Sequence, residues 1–514
     1  MYKYHYILVS FFLIAYNTSA QEASIAEIYA SFIDSTDLKR KVYTLADDSF
    51  LGRETTKEGQ KIAEEFIVSE FKKLSISEGN NGSYLQEYSV INRAFNTIQF
   101  QIGDKLIDSS KEMFTINSNK DLSLSANSMV FAGYGITTDN YNDYENLSVE
   151  DKVVFIFDGT PKDEEGIAIL EDKENNKWNR YSSLKEELAF KNGAIAIVFV
   201  LEDFEITYRK FEKYLSRGGV SLFDPENDLL ADFPSIIMKD SSFYDLFNIN
   251  KSYCIKNQRN KEVGKKAKEM VLKKKVSIDI ECNKTVSTSS NVLAKITAKD
   301  SLAPWLVLSA HYDHEGIDSS VVYNGADDNA SGTSAVLEIA KVFKKASDNG
   351  AIYEKNILFL LVSGEEKGLL GSKYYTTNPV VDLQNTIVNL NIDMIGRVDK
   401  KHQGNANYVY VIGADKISQE LHDINESMNT AYTKLELDYT YNLETDPNRY
   451  YYRSDHYNFA KNGIPVIFYF NGTHEDYHKP TDTADKIVYS ALYYRTQLVF
   501  HTAWYIAMMK SLLN

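Results

Sequence analysis

The C-terminal part of the chain alternates short apolar runs with amphipathic stretches. From about residue 290 the apolar runs are PWLVLSA, NILFLLVS, TIVNLNID, NYVYVIG and IPVIFYF. Runs that are this short and continuous are typical of strands buried on both faces. The stretches between them, such as SGTSAVLEIAKVFKKA, have the spacing of amphipathic helices. This alternation predicts an α/β fold in which helices cover both faces of a largely parallel sheet.

The first half of the chain has a different pattern. Residues from about 25 to 77 are predicted to be helical, with one apolar stripe that contains Ile62, Phe66 and Phe71. Between about 128 and 254 the runs SMVFAGYG, KVVFIFDG, AIAIVFV and PSIIM predict the strands of a separate, β-rich module. The lysine-rich stretch KKAKEMVLKKKVSIDIE follows this module and is predicted to be a solvated connector and strand face.

The first twenty residues have the pattern of a secretory signal peptide. Lys3 precedes an apolar core from about Ile7 to Ala15, and Thr18-Ser19-Ala20 resembles a small-residue cleavage site. The apolar core is too short to span a bilayer, and no later run reaches spanning length. The sequence therefore predicts a periplasmic or secreted protein with no membrane anchor after cleavage.

Composition narrows the class of function. The chain has 514 residues, enough for two or three domains, and 43% of them are hydrophobic. Its net charge of −16 argues against nucleic acid and anionic membrane surfaces as partners, and leaves the oligomeric state open. Cys254 and Cys282 are the two cysteines. They are a candidate disulfide in an oxidising compartment, and the alternative is that both are free and buried.

Imidazoles and carboxylates recur where the predicted strands end. They are His311, Asp313 and His314 after the first strand, Asp327 and Asp328 in the next loop, Glu365 and Glu366 after the second strand, Asp393 after the third, and His474, His478 and Asp482 near the last. Ligands of α/β folds bind at this edge of the sheet. Crowded carboxylates repel one another, and a bound divalent cation removes that repulsion. Mixed histidine and carboxylate ligands suit Zn²⁺ first, with Co²⁺ or Mn²⁺ as alternatives.

Each of these motifs has a structural explanation when it is taken alone. A His-x-Asp pair is commonly a surface hydrogen bond, an Asp-Asp pair before a helix is commonly an N-cap, and a Glu-Glu pair is commonly solvated. Their joint occurrence at the strand ends of one α/β segment favours a metal site over these explanations.

The order of the motifs resembles that of the co-catalytic zinc exopeptidases. The motifs are His-x-Asp, Gly-Ala-Asp-Asp-Asn-Ala-Ser-Gly, Glu-Glu, Asp and Tyr-His-x-Pro-x-Asp-Thr, and the segment RSDHYNFAKNGIPVIFY also resembles the family. The family includes secreted bacterial aminopeptidases, glutamate carboxypeptidase II and the transferrin receptor. The segment FAGYGITTDNYNDYENLSVEDKVVFIFDG resembles the protease-associated domain that is often inserted in these enzymes.

The resemblance implies a three-layer αβα zinc-exopeptidase core, built on a mixed, mainly parallel sheet, with an inserted β-rich protease-associated domain. Residues 1–20 would be the signal peptide and residues 21–127 the N-terminal helical part of the peptidase domain with connecting strands. The protease-associated domain would cover residues 128–254, a connector residues 255–289, and the zinc peptidase catalytic domain residues 290–514.

The resemblance also implies a set of metal ligands. Asp328 would bridge two Zn²⁺ ions. His311 and Asp393 would complete the protein ligands of one ion, and Glu366 and His478 those of the other. The peptide bond after the bridging aspartate is often cis in the family, and here it joins Asp328 to Asn329.

The resemblance also gives Asp313 a role, and the chemistry of three further residues near the motifs makes them candidates. Asp313 would hold the far nitrogen of His311 and fix its tautomer. Glu365 would act as the general base that takes a proton from the attacking water. Tyr477 is a candidate donor to the oxyanion or, alternatively, a packed aromatic residue. Arg453 is a candidate partner for a substrate carboxylate or, alternatively, for a nearby acid.

We expect a metal-dependent aminopeptidase that removes N-terminal residues from peptides. One alternative is a carboxypeptidase or dipeptidase, or a glutaminyl cyclase-like enzyme that uses one zinc ion. Another alternative is a non-enzymatic, receptor-like binding protein. The presence of all five candidate ligands and of the candidate base Glu365 argues against this last function.

Overall fold

The computed structural model describes residues 25–108, 111–115, 121–163, 165–180, 182–217, 219–223, 233–254, 256 and 270–513. The chain divides into two units, one formed by the chain up to Ser89 and from Ser287 onward, and the other by Val90–Val286. We call them the first unit and the second unit. The predicted signal peptide, residues 1–20, lies outside the described residues. Within the described parts of the chain, no helix has both the length and the apolar character needed to cross a membrane.

A mixed, mainly parallel sheet forms the centre of the first unit. Its strands lie in the order Glu436–Asp438, Tyr408–Ile412, Val466–Phe470, Thr386–Ile392, Trp305–His311 and Asn356–Val362, followed by parts of the long strands Val276–Ile296 and Leu85–Ile102. Trp305–His311 is central and pairs in parallel with the strands on both sides. Antiparallel pairing joins Val466–Phe470 to Tyr408–Ile412, and Asn356–Val362 to residues 292–296. All five C-terminal apolar runs are strands, as predicted.

Helices cover both faces of this sheet. The helices of the first unit include residues 25–30, Ser35–Leu45, Glu58–Lys73, Gly332–Asp348, Leu370–Thr377, Gln419–Met428, His456–Ala460 and Tyr489–Met508. Alternate residues of each strand point to opposite faces, so Leu308 and Phe359 join one core while Val307 and Leu358 join another. The predicted α/β class with three αβα layers is therefore confirmed.

The second unit contains a six-stranded sheet of its own. Its strands lie in the order Val271–Leu272, Met129–Phe131, Val153–Phe157, Ala196–Leu201, Ser235–Lys239 and Met113–Thr115, and the middle four run parallel. Its helices include Asp172–Arg180, Ser182–Lys191, Phe204–Arg217, Asp240–Phe247 and residues 251–254. The predicted strands of the β-rich module are present, and the structure adds these helices between them.

The second unit extends beyond residues 128–254 at both ends. Residues 122–126 pair with residues 276–280, which brings the chain before and after the predicted module into the same unit. Further short strands of this unit are Lys105–Ile107 and Gly219–Leu222. The predicted connector, residues 255–289, therefore ends within the long strand Val276–Ile296.

Cys254 does not form the candidate disulfide with Cys282. Cys254 is a free cysteine that is fully buried in an apolar cluster of the second unit. This burial raises the pKa of its thiol to about 11, which keeps the sulfur in its neutral form. The side chain of Cys282 lies outside the described residues.

Arg53 ties together three loops of the first unit. Its side chain is fully buried and donates hydrogen bonds to the carbonyl oxygens of Leu45 (2.5 Å), Tyr312 (2.8 Å), Asn324 (2.6 Å) and Gly325 (2.9 Å). Burial lowers the pKa of Arg53 to about 10, which leaves it charged at neutral pH. The planar guanidinium is suited to this task because its donors point in several fixed directions.

We predict that Arg53→Met destabilises the first unit by about 3 kcal/mol, because it leaves buried carbonyl acceptors without donors. Urea unfolding followed by circular dichroism measures this loss. Arg40→Met is the control, since the Arg40 side chain is 48% exposed and its ion pairs with Asp37 and Glu70 are worth less than about 1 kcal/mol each. Equal losses in the two variants would contradict the role given to Arg53.

Candidate metal centre and active-site cleft

Three neighbouring parallel strands deliver polar residues to one edge of the sheet. Trp305–His311 ends with His311, Asn356–Val362 leads into Glu365 and Glu366, and Thr386–Ile392 leads into Asp393. Because adjacent parallel strands end at the same edge, these side chains come close together although they are far apart in sequence.

The loop that carries Asp328 precedes the helix Gly332–Asp348. The peptide bond between Asp328 and Asn329 is cis, as the resemblance implied. The Asn329 side chain donates to the carbonyl oxygen of Ile392 (2.9 Å) and accepts from the N–H of Met394 (3.1 Å). These two bonds fix the Asp328 loop against the chain on either side of Asp393.

The two carboxylate oxygens of Asp328 face two different groups of side chains. Its Oδ1 lies 3.3 Å from His311 Nε2, and Asp393 Oδ1 lies 3.2 Å from the same nitrogen. Its Oδ2 lies 3.1 Å from His478 Nε2, and Glu366 Oε2 lies 3.2 Å from that nitrogen. The structure thus brings all five predicted ligands together around a shared carboxylate.

These distances fit zinc. Tetrahedral ligands at about 2.0–2.1 Å from a zinc ion are separated from one another by about 3.3 Å. His311, Asp328 and Asp393 form one group whose donor atoms lie close enough to hold a metal ion. In the second group His314 and Glu315 also come close to Glu366, so this group has more candidate donors than the sequence analysis assigned.

The charges at this edge favour cations. Burial opposes protonation of His311, yet the carboxylates of Asp393 and Glu365 raise the pKa of His311 well above its ordinary value. Burial likewise opposes protonation of His478, while hydrogen bonds with Asp328 and Glu366 raise the pKa of His478 to about 11. The same negative potential that draws protons to these imidazoles attracts divalent cations.

Asp313 has a different contact from the one expected. His311 Nδ1 lies 3.2 Å from the backbone carbonyl oxygen of Asp313 and 3.8 Å from its carboxylate. A carbonyl can only accept, so this contact places the proton on Nδ1 and leaves Nε2 free to bind a metal. The Asp313 carboxylate instead accepts from Thr55 Oγ1 (2.7 Å) and from the backbone N–H of Glu365 (3.2 Å).

Asp482 and Asp327 support the loop of the bridging aspartate. Asp482 Oδ2 accepts from the backbone N–H groups of Asp327 (3.0 Å) and Asp328 (3.2 Å). The Asp327 carboxylate accepts from the Gly396 N–H (2.7 Å) and lies 3.2 Å from His474 Nε2. His474 therefore pairs with Asp327 and takes no part in the metal groups.

A chain of buried hydrogen bonds reaches Asp393 from inside the sheet. Ser454 Oγ donates to Asp393 Oδ2 (2.6 Å) and accepts from Asn391 Nδ2 (3.0 Å). Asn391 Oδ1 accepts from Ser309 Oγ (2.7 Å), which in turn accepts from Asn389 Nδ2 (2.8 Å). Ser454 thus holds the oxygen of Asp393 that faces away from His311.

A cleft opens beside the two metal groups. Its lining consists of three carboxylates, six aromatic, apolar or hydroxyl-bearing side chains and one guanidinium. These residues are Asp328, Glu365, Asp393, Met394, Tyr450, Phe468, Phe470, Thr473, Tyr477 and Arg453. The Tyr477 ring stacks on His478 with centroids 3.9 Å apart. Burial raises the pKa of Tyr477, so its hydroxyl stays protonated. The Arg453 guanidinium lies 4.9 Å from the centre of the Tyr450 ring.

Sequence reasoning missed several residues of this region. His314 Nδ1 lies 2.8 Å from Glu366 Oε1, although no ligand role was assigned to His314. The HYDHEG motif placed His314 beside the strand end but could not show where its ring points. Ser454 adjoins Asp455 in the RSDHYNF segment, and that proximity to a family motif was its only signal. Arg53 lies far from every motif.

One segment of the chain matches a known protein family. Residues 291–503 match the sequence profile of peptidase family M28. This segment, which is less than half of the chain, is therefore similar to peptidase family M28. The match contains all five candidate ligands and Glu365.

The M28 segment also accounts for the similarity to individual proteins. Aminopeptidase YwaD of Bacillus subtilis is 33% identical over 212 residues, which are 40% of this chain and 41% of YwaD. Leupeptin-inactivating enzyme 1 of Streptomyces exfoliatus is 33% identical over 171 residues, which are 33% of this chain and 34% of that enzyme. The matches thus span less than half the length of these curated relatives.

One solved structure shares the fold over almost the whole chain. The aminopeptidase from Aneurinibacillus sp. strain AM-1 superposes with a TM-score of 0.55 at 17% identity, covering 95% of this chain and 97% of that protein. At this level of identity the similarity establishes the fold alone. Function is inferred from the M28 segment and its site.

We predict that Ser454→Ala weakens zinc binding at the His311–Asp393 group by about tenfold to a hundredfold, because Asp393 loses the bond that orients it. Competition with a chromophoric zinc chelator measures the affinity. Ser334→Ala is a matched control, since Ser334 is equally buried and its hydroxyl has no hydrogen-bond partner among the described residues. Unchanged zinc affinity in Ser454→Ala, or an equal loss of affinity in both variants, would contradict the prediction that Ser454 orients Asp393.

Proposed function

We propose that this protein is a metal-dependent exopeptidase, most simply an aminopeptidase that hydrolyses N-terminal residues from peptides. The observation that carries the proposal is the shared carboxylate: each oxygen of Asp328 faces its own histidine and its own second carboxylate, beside a cleft. Two Zn²⁺ ions fit this arrangement, one with His311 and Asp393 and one with Glu366 and His478. Similarity to YwaD, which is an aminopeptidase, supports the amino-terminal direction.

Bound zinc would polarise the scissile carbonyl and lower the pKa of a coordinated water towards ~7. Glu365 lines the cleft, and its carboxylate takes the proton of the attacking water. It then passes this proton to the leaving amine. The Asp313 carboxylate accepts the backbone N–H of Glu365 and so fixes the turn from which the base projects.

Tyr477 completes the proposed machinery. Its protonated hydroxyl lines the cleft and donates to the oxyanion that develops on the scissile carbonyl. Met394, Phe468 and Phe470 form an apolar wall that suits an apolar side chain at the substrate's N-terminus.

A second candidate function rests on Arg453. It is the single cationic side chain among the described residues that line the cleft, and a guanidinium binds a carboxylate in a bidentate pair. A substrate carboxylate at this point would make the protein a carboxypeptidase or dipeptidase.

The remaining parts of the proposal concern the rest of the chain. The leader pattern of residues 1–20 supports secretion or a periplasmic location. The segment that resembles a protease-associated domain lies in the second unit, and we propose that this unit is such a domain. Peptides are the proposed substrates.

A panel of peptides tests the function. We expect hydrolysis of peptides with a free N-terminus, no hydrolysis of their Nα-acetylated forms, loss of activity with 1,10-phenanthroline, and recovery with about two Zn²⁺ per chain. Cleavage of Nα-acetylated peptides from a free C-terminus would establish the carboxypeptidase alternative instead. Cyclisation of N-terminal glutamine with one zinc per chain would establish a glutaminyl cyclase-like enzyme.

We predict that Glu365→Gln lowers kcat by about a hundredfold to ten-thousandfold, because the amide cannot accept the proton of water. Zinc content and thermal unfolding should stay unchanged, which atomic absorption and calorimetry measure. Glu475→Gln is the control, since the Glu475 side chain is 81% exposed and lies outside the cleft lining. Normal turnover by Glu365→Gln would refute the assignment of the base.

A further inference from the structure

The second unit has a cleft at the carboxyl ends of two of its parallel strands. The strand Val153–Phe157 reaches the cleft with Phe157 and is followed by Asp158. The neighbouring strand Ala196–Leu201 reaches it with Val200 and Leu201. Open α/β sheets bind ligands at this edge. All residues given a catalytic or metal-binding role above belong to the first unit, so the proposed peptidase mechanism makes no use of this cleft.

The floor and one wall of the cleft are apolar or aromatic. Val200 and Leu201 are 2% and 6% exposed and form the floor. The rings of Tyr134 and Phe157 meet edge to face, with centroids 5.7 Å apart and an angle of 62° between their planes. Tyr244, from the helix Asp240–Phe247, also lines the cleft. Such a slot suits an aliphatic stem, and aromatic faces attract cations.

The rim of the cleft is acidic. Its lining contains the carboxylates of Asp158, Glu202 and Asp203 and one cation, Lys251. Lys251 is paired with Glu202 at 2.6 Å. The buried Lys185 interacts electrostatically with both Asp158 and the buried Asp143. The three lining carboxylates and Asp143 therefore outnumber the two lysines, and this excess of negative charge favours a positively charged ligand.

Two buried side chains hold the walls of the cleft in place. Asp143 Oδ2 accepts the backbone N–H groups of Tyr134 (3.0 Å) and Ile136 (3.1 Å). Lys185 Nζ donates to the carbonyl oxygen of Gly159 (2.5 Å), next to Asp158. Asp143 and Lys185 are each 1% exposed. The cleft is thus formed before any ligand binds, which lowers the entropic cost of binding.

We propose that this cleft binds a primary ammonium or guanidinium group carried on an aliphatic stem. The carboxylates of Asp158 and Asp203 pair with the charge, and the aromatic wall contacts the stem. A lysine or arginine side chain of a peptide has this chemistry, and so does a free alkyl diamine.

Calorimetric titration of the full zinc-loaded chain tests the proposal. Nα-acetyl-lysine N-methylamide should bind at least tenfold more tightly than Nα-acetyl-norleucine N-methylamide, which has the stem without the charge. Comparison with 1,5-diaminopentane distinguishes a peptide side chain from a free diamine as the ligand. If the diamine binds as tightly as the lysine probe, the cation and its stem suffice. If the diamine binds more weakly, the peptide groups of the lysine probe contribute to binding. Equal affinity of the lysine and norleucine probes would overturn the proposal.

Variants locate the binding. Asp158→Asn combined with Asp203→Asn should weaken binding of the lysine probe about tenfold or more. Glu145→Gln is the control, because Glu145 is an exposed carboxylate of the same unit outside the cleft lining. Asp203→Lys adds a repulsive charge at an exposed position and should abolish binding.

An unchanged affinity in both the double variant and Asp203→Lys would also overturn the proposal. Thermal unfolding of each variant confirms that it is folded. Both probes are acetylated and binding needs no hydrolysis, so this outcome does not depend on whether the protein is an aminopeptidase.

Discussion

Electrostatic repulsion among carboxylates at one edge of the sheet is the constraint on which the site depends. Parallel pairing of three adjacent strands forces Glu365, Glu366 and Asp393 to one edge, and the loop before the helix Gly332–Asp348 adds Asp328. Four buried or half-buried carboxylates so close together are unfavourable unless positive charge is supplied. The imidazoles of His311 and His478 lie where that charge is needed, and they are also ligands that zinc prefers.

The fold leaves this negative potential available because two of its buried arginines, Arg53 and Arg495, bind backbone carbonyls. Arg53 donates hydrogen bonds to four backbone carbonyls, and Arg495 donates to those of Tyr408, Ile395 and Arg397. Had either guanidinium formed a bidentate pair with Asp328 or Asp393, that carboxylate would have been neutralised and lost as a ligand. Backbone carbonyls accept these donors without consuming a formal charge, so loops are fixed while the carboxylates stay free for cations.

Sequence predicted those features that local pattern and sheet topology determine. Apolar runs gave the strands, and the rule that parallel strands end at one edge placed His311, Glu366 and Asp393 together. Features set by tertiary contacts were missed, because Asp393, which accepts from Ser454, and three of the four acceptors of Arg53 are distant in sequence. The limits of the second unit were missed for the same reason, since they depend on pairing between residues 122–126 and 276–280.

Asp313 fixes the tautomer of His311 through a different contact from the one expected. The expected carboxylate–imidazole bond would have fixed the tautomer of His311, and the backbone carbonyl of Asp313 achieves the same result. The carboxylate, released from that task, accepts the N–H of Glu365 and the hydroxyl of Thr55. One short turn therefore orients a candidate ligand through its backbone and the candidate base through its side chain. A displacement of either strand end would move both groups, which links the position of the base to that of the metal.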